Sequence, residues 1–128
     1  MQQRGVRGAT SIPSDTRQNI LQATGELLEA IFACNPDLKT EDISSAIFTV
    51  TDDISSAYPA EAARRMGWEQ VPMLCAREIP VTGGLPLCIR VLILWNTAKT
   101  QRQVQHVYLR DAAQLRPDLM KSIQEQLS

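Results

Sequence analysis

The sequence predicts a mixed α/β fold in which helices cover one face of a β-sheet. Two observations support this prediction: about five segments are rich in β-branched and apolar residues, and two helical segments are interspersed between them. The 128 residues are enough for one domain with a hydrophobic core. We therefore expect a single domain over residues 1–128, with a C-terminal tail over about 116–128.

The first predicted strand and the first predicted helix follow one another directly. QQRGVRGAT has the extended character of a strand, in which Gly5 and Gly8 permit close backbone approach. In IPSDTRQNILQATGELLEAIFACNP, apolar residues recur at helical spacing. Ser14 or Asp15 is the expected N-cap, and the closing Asn-Pro pair predicts the end of the helix.

The remaining segments predict one shorter helix and four strands. SAIFTVT is rich in β-branched and aromatic residues, which favour a strand. YPAEAARRMGW predicts a two-turn helix, with Pro59 at its first position and Gly67 just beyond its end. VPMLCAREIPV and LCIRVLILWNT are strand-like and are joined through a Thr-Gly-Gly turn, which predicts an antiparallel hairpin or a close neighbour pair. HVYLRDA is the last short strand.

The second face of the predicted sheet lacks a helical layer. Apolar runs such as VLILW carry more apolar surface than one helix layer covers on a chain of this length. We therefore expect other copies of the same chain to bury that face. The alternative is that both faces are covered within the monomer.

Composition and charge argue against several classes of function. The formal net charge of −1 and the lack of a basic run disfavour nucleic acid as a partner. Three cysteines without CxxC spacing and the single His106 do not form a standard zinc set, and they fit reduced thiols in a cytosol. With no apolar leader and no apolar run of roughly 20 residues, we expect a cytoplasmic protein without a membrane segment.

Arginines are the candidate functional residues. There is no nucleophile elbow, phosphate loop or dinucleotide fingerprint, whereas Arg7 lies between glycines, Arg90 lies in the apolar run CIRVLIL and Arg116 precedes a proline. A guanidinium keeps its charge, and its burial without partners costs several kcal/mol. Because its planar fork suits carboxylates and phosphates, converging arginines predict a small polyanionic ligand.

Each of these residues also has a structural interpretation. Arg90 could emerge at a sheet edge and reach water along its aliphatic stem. Glu78 is either an exposed edge charge or the partner of an arginine. Cys75 fits a small core residue, and Tyr108 fits ordinary sheet packing with its hydroxyl in water.

Four segments carry a resemblance to a known family. RGVRGAT, YPAEAAR, VPMLCAREIPVTGGLPLCIRVLI and HVYLRDAAQLRPDL occur in this order across nearly the whole chain. In these segments the chain resembles the monofunctional AroH-class chorismate mutases. The resemblance implies an isomerase that converts chorismate to prephenate on the shikimate route to phenylalanine and tyrosine, without a cofactor, a metal or a covalent intermediate. It also implies a homotrimer, a trimeric pseudo-α/β-barrel with an active site at each subunit interface.

The resemblance further implies roles for individual residues. Arg90 would contact the ether oxygen and a carboxylate of chorismate, and Arg7 and Tyr108 would anchor a carboxylate. Glu78 would accept a hydrogen bond from the ring hydroxyl, with Cys75 beside it. These two residues, with Arg90 and Arg7, are the predicted catalytic set.

Other substrate contacts are implied from the neighbouring subunit and from the tail. Tyr58, Ala60 and Arg64 would come from the neighbour together with Cys75, and Leu115 and Arg116 would close over the substrate. The full set of predicted substrate-binding residues is Arg7, Tyr58, Ala60, Arg64, Leu74, Cys75, Arg90, Tyr108, Leu115 and Arg116.

Two other functions remain open at the level of sequence. One is a reactive-imine deaminase, which shares the trimeric fold and binds a carboxylate with an arginine, so that fold alone does not separate the two. The other is a non-catalytic module that binds small carboxylates. Turnover of chorismate excludes the module, and imine turnover without it favours the deaminase.

Overall fold

The computed structural model of the protein describes residues 1–115. Within this range the predicted mixture of five strands and two α-helices is confirmed. The strands are β1 (Gln2–Ser11), β2 (Ile43–Val50), β3 (Met73–Arg77), β4 (Cys88–Thr97) and β5 (Val107–Tyr108), and the helices are α1 (Arg17–Cys34) and α2 (Ala60–Arg65). Short 3-10 helices cover Thr40–Asp42, Gln101–Gln103 and Arg110–Gln114.

The five strands form one mixed sheet in the order β3-β2-β4-β1-β5. The central strand β4 runs antiparallel to both β1 and β2, whereas β3 is parallel to β2 and β5 is parallel to β1. The predicted pairing of β3 with β4 is wrong, because β2 lies between them. The Thr-Gly-Gly segment does form a turn, with Gly83 at φ 84°, but it belongs to a connection that crosses the end of β2.

The two helices lie in the predicted segments, but both begin later than predicted. Helix α2 begins at Ala60, with Pro59 as its N-cap and not as its first residue. Thr16, not Ser14 or Asp15, caps α1, since its Oγ1 accepts a hydrogen bond from the Asn19 N–H at 3.1 Å. Helix α2 is followed by Gly67 at φ 95°, the left-handed conformation expected of a glycine after a helix.

The helices cover one face of the sheet and enclose the main core. This core contains Val6, Leu27, Leu28, Ile31, Phe48, Trp68, Val91, Ile93 and Trp95. Helix α1 approaches β1 closely at Gly8, where an added Cβ would lie 2.7 Å from the Ile31 Cδ1 atom. A side chain at this position would force Ile31 to shift, so glycine lets α1 pack at this distance.

The opposite face of the sheet carries the functional candidates and stays partly exposed. Because side chains alternate along a strand, Arg7, Ile47, Leu74, Arg90 and Leu92 all project from this face. Leu74 is 68% exposed, and Ile47 and Leu92 are also exposed. Within residues 1–115, the 3-10 helix after β5 and Leu85 of the β3–β4 connection pack on one end of this face.

Over residues 1–115, none of the helices is both long enough and apolar enough to cross a bilayer.

Candidate active site

Three strands place the predicted arginines around one cavity on the exposed face. Arg7 on β1, Arg90 on β4 and Tyr108 on β5 line a cavity of about 310 Å³. The register brings them together, since Arg90 lies opposite Ala9, which is also the partner of Tyr108. The cavity is thus built by strand pairing across residues that are distant in sequence.

Arg90 pairs with a carboxylate of its own chain. Its Nε lies 3.2 Å from Oε1 of Glu78, and the Thr49 hydroxyl donates a hydrogen bond to the same oxygen. The side chains of Arg90 and Glu78 are 45% and 27% exposed. Of the two interpretations of Glu78, the partner of an arginine is therefore the correct one.

Thr49 is a site residue that the sequence does not reveal. It lies directly opposite Arg90 in the β2–β4 register and also lines the cavity. Alternation along SAIFTVT assigns Thr49 to one face of its strand, but only the strand pairing brings it to Arg90.

Cys88 lies beside Arg90 and remains a neutral thiol. Burial raises the pKa of the Cys88 thiol, and the neighbouring Arg90 guanidinium opposes this shift only in part. Together with Ala9, Tyr108 and Ala112, Cys88 forms a small cluster that closes one end of the exposed face.

Cys75 lies on the other face of the sheet from Arg90 and Glu78. The β2–β3 pairing is regular along its length and contains no bulge, so Cys75 and Glu78 project to opposite sides. Cys75 lines a second cavity of about 560 Å³ together with Tyr58 and Arg77. The described chain therefore does not bring the predicted catalytic residues together in one place.

An ion-pair cluster borders this second cavity. Both terminal nitrogens of the Arg17 guanidinium, Nη1 and Nη2, donate to the Glu61 carboxylate, and Arg65 lies 3.4 Å from it. The hydrogen bonds from Arg17 lower the pKa of Glu61. Arg17 and Glu61 are 44 residues apart in the chain, and the sequence did not predict that they would pair.

A polar network fixes the segment between β2 and α2 and the start of β4. Arg77 donates hydrogen bonds to the carbonyl groups of Thr51, Asp52 and Ile54 at 3.0 to 3.3 Å. The Asp53 carboxylate accepts the N–H of Leu87, which has a left-handed φ of 50°. This network holds the strained residue that precedes β4, and thereby the start of the strand that carries Arg90.

The other predicted contacts are more dispersed. Ala60 is buried in the main core at 4% exposure, and Arg64 is exposed in the last turn of α2. Leu74 projects from the exposed face beside Ile47, and Leu115 packs against the cluster that contains Tyr108. Arg116 lies outside the described residues.

No metal centre is formed by the described residues. Among residues 1–115, no three His, Cys, Asp or Glu side chains are grouped closely enough to hold an ion.

Comparisons with known proteins identify the family. The family model for chorismate mutase type I matches residues 3–119. The chorismate mutase AroH of Thermus thermophilus is 54% identical over 116 residues, covering 91% of this chain and 95% of that protein. The chorismate mutase AroH of Bacillus subtilis is 45% identical over 117 residues, covering 91% of both chains.

A solved structure agrees with this assignment. A chorismate mutase from Clostridium thermocellum has a TM-score of 0.82 and 44% identity, covering 84% of this chain and 96% of that chain. The resemblance stated from the four sequence segments is thus confirmed, as is the mixed α+β fold. The chain belongs to the chorismate mutase type I family.

Proposed function

We propose that the chain rearranges chorismate to prephenate and that the Arg7–Arg90–Tyr108 cavity binds the substrate. Membership of the family supports the reaction. The observation that carries the residue assignment is the convergence of Arg7 and Arg90 on one cavity, because chorismate is a dicarboxylate. The cavity volume of about 310 Å³ is at the lower end of the range typical of small-molecule sites.

The proposed chemistry is a rearrangement within one molecule. A C–O bond of the enolpyruvyl ether breaks while a new C–C bond forms to the ring, and no proton leaves or enters. The protein must hold the flexible arm over the ring and stabilise the negative charge that grows on the ether oxygen. Arg90 is the cation for that oxygen, and preplaced donors of this kind contribute roughly 3 to 4 kcal/mol.

The neighbouring side chains divide the remaining tasks. Arg7 and Tyr108 bind a carboxylate of the substrate, and Glu78 accepts a hydrogen bond from the ring hydroxyl. The Glu78–Arg90 ion pair supports this assignment, because it limits the rotation of the guanidinium before the substrate binds. Thr49, which donates to Glu78, fixes the carboxylate in turn.

A complete site requires a second copy of the chain, and we propose a homotrimer. Cys75 and Tyr58 border a cavity on the opposite side of the sheet, and Arg64 lies on the same side. In the proposed assembly, a neighbour presents Cys75, Tyr58 and Arg64 to the Arg90 cavity. The predicted contact of Ala60 is not part of the proposal, because Ala60 is buried in the core of its own chain. The exposed apolar residues Ile47, Leu74 and Leu92 support burial of this face by another copy.

The test is chorismate turnover by wild-type and Arg90 variants. We expect loss of chorismate absorbance with formation of prephenate. Because Arg90 acts mainly in the transition state, Arg90→Ala and Arg90→Lys lower kcat by about a hundredfold or more. The control is Arg102→Ala, which removes an exposed arginine from the 3-10 helix before β5 and leaves kcat unchanged.

The outcomes separate the competing functions. A folded Arg90→Ala variant with wild-type kcat contradicts the electrostatic role. A wild-type chain that binds chorismate without converting it is a binding module, and turnover of imines in place of chorismate identifies a deaminase.

A further inference from the structure

Along the part of β1 that carries Arg7, side chains and not a neighbouring strand bond the backbone groups of the outer edge. Strand β5 covers only Gly8 and Ala9, and the Leu109 N–H continues this pairing to the Ala9 carbonyl at 2.9 Å. Before that point, the Arg7 N–H donates to Nδ1 of His106 at 3.0 Å. Side chains therefore replace the missing residues of a longer edge strand.

Gln101 takes the place of a neighbouring strand in the same way two residues earlier on β1, at Gly5. Its Oε1 accepts the Gly5 N–H at 3.0 Å, and its Nε2 donates to the Gly5 carbonyl at 2.7 Å. The amide of Gln101 thus pairs with both backbone groups of Gly5, as a neighbouring strand would. Exposed edge groups without such partners exchange with water and leave the strand less restrained.

The Arg7 side chain depends on this backbone for its orientation. Within residues 1–115, the Arg7 guanidinium makes no hydrogen bond or ion pair, although it lines the cavity. Arg90, by contrast, is held by Glu78. The backbone of β1 therefore sets the point from which the Arg7 side chain enters the cavity, and no contact among the described residues restrains the guanidinium beyond that point.

We propose that His106 and Gln101 are positioning residues for Arg7. They do not line the cavity, and they act by fixing the backbone on either side of Val6, so that the Arg7 side chain enters the cavity from a defined point. This inference rests on the proposed function, in which Arg7 binds a substrate carboxylate. Errors of about 1 Å in the placement of such a group lower activity by up to a hundredfold.

The first test compares two substitutions of His106. His106→Leu keeps the bulk but removes the acceptor, and it raises KM for chorismate about tenfold while kcat changes little, because carboxylate binding is shared by substrate and transition state. His106→Asn keeps an acceptor atom at the δ1 position and retains a KM close to that of wild type.

A matched pair tests Gln101. Gln101→Ala also raises KM, whereas Arg102→Ala does not, because it removes an exposed side chain of the same 3-10 helix and keeps the capping box between Thr100 and Gln103. Equal KM values for Gln101→Ala and Arg102→Ala contradict the proposal.

A double-mutant cycle identifies Arg7 as the intermediary. In an Arg7→Ala background, His106→Leu has no further effect on KM, since the group that it positions is absent. A merely structural role predicts the same increase in KM in both backgrounds, and that result overturns the inference, as does an unchanged KM in a folded His106→Leu variant.

Amide hydrogen exchange tests the positioning role without requiring that the chain convert chorismate. The Arg7 N–H exchanges faster in His106→Leu than in wild type, whether or not the chain converts chorismate. If wild type lacks turnover, the proposed function fails while this exchange result still stands. If the exchange rate of Arg7 is unchanged, the positioning role fails on its own.

Discussion

At the scale of single residues, the placement of Arg90 explains how an apolar strand accommodates a charge. Ile89, Val91 and Ile93 face the helices, whereas Arg90 projects from the face that remains open. The guanidinium stays partly hydrated and pairs with Glu78. The desolvation penalty of a fully buried ion pair is thereby avoided.

This placement predicts a small effect of Arg90 on stability. We expect Arg90→Ala to lower the free energy of unfolding by less than about 1 kcal/mol, the typical magnitude for an exposed ion pair. Glu78 keeps the hydrogen bond from Thr49 and its own N–H bond to the Val50 carbonyl. Urea unfolding at fixed protein concentration measures the difference.

The Arg110–Glu26 pair provides the matched control for that measurement. These side chains are similarly exposed, at 38% and 43%, and lie 2.9 Å apart. Arg110→Ala should lower stability by a comparable amount. A loss of several kcal/mol confined to Arg90→Ala would mean that Arg90 has a structural role.

At the scale of elements, we expect substitution by alanine to have opposite effects on stability at two glycines, one on β1 and one in α1. An added methyl group at Gly8 would meet Ile31, Val91 and Leu27 at 2.7 to 3.2 Å, whereas Gly25 has no atom within 4 Å of the added Cβ. Gly8→Ala should therefore destabilise the protein by about 1 to 3 kcal/mol.

Gly25 lies within α1 and serves as the control substitution. Gly25→Ala should stabilise the protein by about 0.5 to 1 kcal/mol, because alanine favours the helix. Thermal unfolding of both variants checks the prediction. Similar shifts in Tm for the two substitutions would contradict the close approach of α1 to β1.

The ion pair between the start of α1 and α2 predicts a pH-dependent contribution to stability. Hydrogen bonds from Arg17 lower the pKa of Glu61 below its ordinary value of 4.5. The contribution is therefore fully present above about pH 4.5 and is lost as the pH falls through the lowered pKa. Glu61→Gln should lower Tm at pH 7, and the difference from wild type should be smaller at pH 3 than at pH 7.

Glu69→Gln is the control for Glu61→Gln, since it neutralises an exposed carboxylate in the segment after α2. Its Tm should remain close to that of wild type at both pH values. A difference between Glu61→Gln and wild type that persists unchanged at pH 3 would contradict the role of the ion pair.

The elements themselves are predictable from local signals, whereas their pairing is not. Apolar periodicity located α1, whereas α2 was located by Pro59 before it and by the conformational preference of Gly67 at its end. The strand order could not be derived, because the Thr-Gly-Gly turn specifies a local reversal and not which strand the chain meets next. Thr49 and Arg17 escaped prediction for the same reason, since their partners are distant in sequence.

At the scale of the whole molecule, the exposed apolar face predicts self-association, and the proposed assembly is a trimer. The chain should form a homotrimer with about three times the 14.2 kDa mass of one copy. Leu74→Asp should dissociate it, because a carboxylate replaces an apolar side chain that the proposed interface buries. Light scattering at micromolar concentration measures both masses.

Met66→Asp provides the matched control on the helical side of the molecule, where Met66 is 37% exposed. Its mass should equal that of wild type. A wild-type monomer would contradict the proposed assembly, and an intact Leu74→Asp trimer would exclude this part of the face from the interface.

Glu78 and Cys75, three positions apart in one chain, project from opposite sides of the sheet, and this has a consequence for mixed assemblies. In the proposed ring, each chain contributes its Arg90 side to one site and its Cys75 side to another. An Arg90→Ala chain and a Cys75→Asp chain, whose new carboxylate repels a dicarboxylate, should each be inactive alone. When they are refolded together, about a quarter of the junctions combine two intact halves, so that activity returns by complementation between two defective chains.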